Sequence, residues 1–157
     1  MMKPVCLVLL LTATFAYSGV EGENACTTAI KNNLNYTALN SAFHFCASDP
    51  AGRAALIKNS GKLCAHYDYF TGDITCEIRA APFMKCAAKE LGYLNANDGS
   101  IKNTKILAEY KTYATSDPKC KVDIYNFAVY KCGTTIANYA FLAKAACLFR
   151  KMDQYTR

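Results

Sequence analysis

An all-α fold, a compact disulfide-crosslinked bundle of about five to seven short helices, is what this sequence predicts. Three observations carry it. The chain is rich in Ala, Leu and Lys, which favour helix. Its few glycines and prolines sit at boundaries, twice as Ser-Asp-Pro start signals (Ser48-Asp49-Pro50 and Ser116-Asp117-Pro118). Eight cysteines with wide spacing follow a leader-like first segment.

That first segment, 1–22, reads as a signal peptide. Lys3 supplies a positive start, and 5–20 carries no charge. Small residues suit cleavage after Ser18 or Gly22. The apolar stretch is short for a membrane span, which takes about 20 apolar residues. The expected product is a secreted, extracellular chain with one domain over 23–157. The apolar 134–149 stretch is interrupted by Lys144 and reads as a core helix, so no transmembrane segment is expected in the mature chain.

The leader takes Cys6 with it. The remaining cysteines are Cys26, Cys46, Cys64, Cys76, Cys86, Cys120, Cys132 and Cys147. Their even number fits four disulfides in an oxidising compartment, with the pairing left open. Zinc sites use close ligand pairs such as C-x₂-C. The nearest cysteines here, Cys76 and Cys86, have nine residues between them, so no metal site is expected.

The elements follow in order. A first helix fits 25–33. A second fits 38–47, with Thr37 as its N-cap. Asp49 caps a third that begins at Pro50 and runs toward His66, with Gly61 as its weak point. The stretch 67–72 reads as a loop. Asp73 then caps a helix through Cys76 that Gly92 ends, and Pro82 predicts a kink or split near Ala81. The polar cluster 95–100 is a turn. Helices at 101–114, 119–131 and 135–152 complete the chain, with Gly133 closing the second of them. The last places Ile136, Tyr139, Ala140, Ala143 and Cys147 along one stripe.

Asn35-Tyr36-Thr37 is a sequon that makes Asn35 a candidate glycosylation site on an exposed turn. The net charge is +6. Removing Lys3 and Glu21 with the leader leaves it unchanged. The basic residues are scattered, so a solvated basic surface is expected and no nucleic-acid partner.

No catalytic motif emerges. There are two histidines, His44 and His66, with Asp68 near the second. The C-C-x-x-H-D-x-C stretch of secreted phospholipases A2 is absent, as is the lysine motif of pancreatic-type ribonucleases. A glycosidase needs two carboxylates across its sugar. The candidates, Glu77 or Glu90 with Asp68 or Asp73, have no supporting motif, and the chain has no Trp. With every cysteine paired, none is left as a nucleophile. The expectation is a chain that is not an enzyme and takes no cofactor.

The aromatics are the remaining signal. Phe43, Tyr67, Tyr69 and Phe70 come early in the chain; Tyr125, Phe127, Tyr139 and Phe141 come late. They can line a helical cage for a lipophilic molecule, or serve as core and contact surface. The leading expectation is a secreted, non-catalytic binding or effector protein that recognises an extracellular protein or cell-surface partner. The alternatives are an extracellular carrier of a small hydrophobic ligand and a cationic antimicrobial protein.

Overall fold

The computed structural model describes residues 23–59, 64 and 72–155. It is all-α and held by four disulfides. Among the described residues there are eight α-helices and one 3₁₀ turn, slightly more elements than expected. The first is α1 (Ala25–Asn33), capped by Asn24, whose Oδ1 accepts the Cys26 N–H at 2.8 Å. In α2 (Tyr36–Ser48) the cap is Asn35, accepting from the Ala38 N–H at 3.0 Å, so the helix starts two residues before the expected position. The Ser-Asp-Pro signal holds for α3 (Pro50–Asn59), where Asp49 accepts the Gly52 N–H. The expected continuation toward His66, and the 67–71 loop, lie outside the described residues.

Asp73 caps α4 (Ile74–Arg79) through the Thr75 and Cys76 amides. Pro82 then splits the segment at Ala80, and α5 (Ala81–Glu90) follows. A tight excursion returns the chain, closed by one antiparallel bridge between Leu94 and Ile101. Three helices remain: α6 (Asn103–Thr115), α7 (Val122–Cys132) and α8 (Phe141–Tyr155).

Two expectations need correction. The second Ser-Asp-Pro does not start a helix. Asp117 accepts the Lys119 and Cys120 amides in a local turn, and α7 begins only at Val122. The intervening Cys120 is drawn to Cys26 at the start of α1. The last helix is also shorter at its front. Asn138 and Tyr139 take φ values of 47° and 63°, which no α-helix tolerates, and 137–139 forms a separate 3₁₀ turn. The Ile136 amide donates to Asn103 Oδ1 at 2.8 Å, tying this stretch to the start of α6. The expected stripe is therefore broken between Ile136 and Ala140. The buried face of α8 is built instead on Phe141, Leu142, Ala145, Leu148, Phe149 and Met152.

The bridges sort the helices into two halves. Cys46–Cys86 ties α2 to α5, and Cys64–Cys76 ties Cys64 to α4. Cys26–Cys120 ties α1 to the entry of α7, and Cys132–Cys147 ties α7 to α8. No bridge joins α2–α5 to the group α1, α6, α7 and α8. The halves meet through packing of α4 on α8, and of the 3₁₀ turn on α4 and α5. The buried Glu77 of α4 reinforces this seam, its Oε1 accepting the Leu142 N–H at 3.1 Å in the first turn of α8. A carboxyl oxygen placed there satisfies one of the amides that a helix leaves unpaired in its first turn.

Gly72 sits where the chain presses on α8. Its φ is +44°, and an added Cβ would lie 2.7 Å from both the Leu142 carbonyl oxygen and the Ala146 Cβ. Overpacking costs about 1–3 kcal/mol, and a left-handed backbone about 1 more for a residue with a Cβ. Gly72→Ala is expected to lower stability by about 3 kcal/mol in denaturant titration. A loss below about 1 kcal/mol would mean that this close approach does not form.

Candidate functional site

Two hollows stand out among the described residues. The first lies on the seam between the halves. Leu34 follows the end of α1, Leu39 comes from the start of α2, Leu91 from the end of α5, and Leu142 from α8. Four rings join them: Tyr93, Tyr110, Tyr113 and Phe141. Its volume is about 160 Å³. Glu109 on α6 is the one charged residue of its lining, and Asn35 stands exposed at its rim.

Helical spacing builds this site. Glu109 and Tyr113 are four apart on α6 and therefore neighbours on its surface. The Tyr113 hydroxyl donates to Glu109 Oε1 at 2.7 Å. Tyr93 arrives from the turn after α5, where Gly92 takes φ +73° and reverses the chain. Its hydroxyl donates to the same oxygen at 2.9 Å. Tyr110, fully buried, donates to the Phe141 carbonyl at 3.2 Å and joins α6 to α8.

The phenols are held in their protonated form. Burial, and then the hydrogen bond to Glu109, push Tyr113 up to about 12. Tyr93 is raised further, first by burial and then by the Glu109 charge. Burial raises Tyr110 well above the ordinary phenol range. At neutral pH all three are donors. The arrangement is a carboxylate with two fixed phenol donors, facing an apolar and aromatic hollow.

The second hollow is an open groove of about 460 Å³ between α6 and α7. Leu107, Tyr125 and Val129 form its apolar part; Thr104, Asn126 and Lys111 are polar. The Tyr125 hydroxyl is turned inward to the Leu107 carbonyl.

A third feature is the outer face of α7. Tyr130 is 81 % exposed, and Val122 is exposed eight residues earlier on the same side. Phe127 packs on Tyr155 with ring centres 5.1 Å apart. The Lys131 ammonium lies 5.7 Å from the Phe127 and Tyr130 ring centres alike. Cys120, two residues before α7, and Cys132, its last residue, anchor this helix at both ends.

The sequence-chosen aromatics are dispersed. Phe43 packs on Phe83 at 5.2 Å, Tyr139 lies under Lys85, and Phe141 floors the seam hollow. Tyr125 and Phe127 sit on opposite sides of α7. Tyr67, Tyr69 and Phe70 lie outside the described residues, as do His66 and Asp68. His44 is exposed on α2 and Glu90 is exposed at the end of α5. Glu77 and Asp73 are engaged with helix N-termini. Among the described residues no three His, Cys, Asp or Glu side chains gather as metal ligands. None of the described helices is long and apolar enough to cross a membrane.

Sequence reasoning passed over Tyr93, Glu109, Tyr110 and Tyr113. The spacing Glu109, Tyr110, Tyr113 carried a signal, because it sets a carboxylate and two rings along one side of a helix. Tyr93 carried none, since only the tertiary turn at Gly92 delivers it. No family model, curated protein or solved structure matches the chain.

Proposed function

We propose that this chain is a secreted, non-catalytic binding protein that presents the outer face of α7 to an extracellular protein or cell-surface partner. The observation that carries this reading is the exposed Tyr130 and Lys131, with the half-buried Phe127 beside them, on a helix anchored at both ends by disulfides. Aromatic side chains are enriched where proteins recognise one another. A face that cannot rearrange loses little entropy on binding. The leader-like start and four bridges support an extracellular setting.

The other expected roles receive less support. A lipophilic ligand wants a cavity of roughly 300 Å³ or more. The seam hollow is about half that size and bears a charge. A membrane-active helix needs an exposed apolar face. On α8 that face is buried, with Leu148 and Met152 fully enclosed.

The test uses the intact purified protein mixed with extracellular fluid or cell-surface extract, followed by native mass spectrometry. A protein partner is expected. Tyr130→Ala combined with Lys131→Ala should weaken that complex at least about tenfold, with an unchanged circular dichroism spectrum. Recovery of a lipid alone, or undiminished binding by the double variant, would overturn the proposal.

A further inference from the structure

We infer that the seam hollow is a binding site for a small organic ammonium ion, with Glu109 as counter-charge and the Tyr93, Tyr110, Tyr113 and Phe141 rings as walls. The argument starts from Glu109. It is half-buried in a chain of net charge +6, yet no basic side chain among the described residues pairs with it. Lys105 stands four residues earlier on the same helix, at the spacing where Lys and Glu ordinarily meet. It turns away instead. Its ammonium donates to the Gly92 carbonyl at 3.0 Å and lies 5.9 Å from the Tyr93 ring centre.

Both phenol bonds fall on Glu109 Oε1. Such donors fix the carboxylate without neutralising it. Oε2 accepts no hydrogen bond from any described residue. One edge of the carboxylate is thus left without a donor beside a hollow walled by rings.

This combination selects a ligand class. An anion is repelled by Glu109, and a neutral apolar molecule leaves the carboxylate facing hydrocarbon. An ammonium ion meets the carboxylate with one end, and ring faces attract cations within about 6 Å. The volume of about 160 Å³ sets the size. An apolar void of about 150 Å³ accepts benzene. The ligand is therefore a single-ring or short branched amine, and a long-chain lipid does not fit. The site is separate from the α7 face, so the two readings stand or fall independently.

Benzylammonium and tetramethylammonium are the probes, with benzyl alcohol as the neutral control. Titration of the intact protein should give saturable binding of at least one ammonium, with a dissociation constant of about 1 mM or tighter. NMR shift changes should centre on Tyr93, Tyr110, Tyr113 and Leu142. Which probe saturates separates primary amines from quaternary ones. Glu109→Gln preserves shape and an acceptor for the phenols, and should weaken ammonium binding at least tenfold. Tyr130→Ala should leave it unchanged. Three outcomes overturn the inference: neither ammonium saturates, benzyl alcohol binds as tightly, or the shifts map elsewhere. The shift mapping decides the question on the unaltered protein even if Glu109→Gln folds poorly.

Discussion

Replacing Cys26 and Cys120 together by Ala is expected to cost about 4 kcal/mol, the largest loss of any bridge in this chain. The reason lies in the unfolded state. A disulfide removes loop-closure entropy there, more for a longer loop. Cys26–Cys120 spans 94 residues, but it encloses the 40 spanned by Cys46–Cys86, leaving about 54 to close. A loop of that size corresponds to about 4 kcal/mol, against about 3 for the spans of 12 and 15 residues. Cys26 and Cys120 are both buried, so Ala leaves only a small void. At about 2.1 cal/mol/K of unfolding entropy per residue, the midpoint should fall by about 15 °C. Calorimetry on this variant and on the Cys64→Ala, Cys76→Ala pair checks the ordering. Equal losses would show that native-state contacts, rather than loop length, govern these bridges. The same variant releases α7 at its N-terminal end, so it should also weaken partner binding through the Tyr130 face.

Much of the fold was legible because its signals are local. Asp49, Asp73 and Pro82 act within one turn of the chain, and each did what its chemistry dictates. The same logic failed at Asp117. There the cap forms a turn, but a bridge to a residue far away in sequence sets the next step of the chain. It failed again at Asn138 and Tyr139. Periodicity continued through them, while the Ile136 amide bond to Asn103 held the backbone out of helix. Spacing cannot report such long-range ties. Nor could it choose among 105 pairings of eight cysteines. The seam hollow was half visible. Glu109, Tyr110 and Tyr113 share a helix, but their meaning depends on Tyr93 and on two halves that no bridge connects.

Tyr110 ties α6 to α8 within one half and lends its ring to the hollow between the halves. It is 1 % exposed, lies at the seam and reaches from α6 to the first residue of α8. Tyr110→Ala is expected to destabilise the protein by about 4 kcal/mol, within the range for deleting a buried aromatic ring. Tyr110→Phe keeps the ring and removes only the hydroxyl that donates to Phe141. It should cost about 1 kcal/mol, the net worth of a neutral hydrogen bond. The gap between the two variants measures how much of the seam is packing. If the halves behave as one cooperative unit, both variants unfold in a single transition seen alike by near- and far-UV circular dichroism. If the packing of this ring across the hollow is a main contact between them, the alanine variant separates the two signals. The half containing α2–α5, held by Cys46–Cys86 and Cys64–Cys76, would then melt apart from the half containing α8. In that case ammonium binding at Glu109 should fall in Tyr110→Ala and survive in Tyr110→Phe, because the ring forms a wall of the site and the hydroxyl points away to the Phe141 carbonyl.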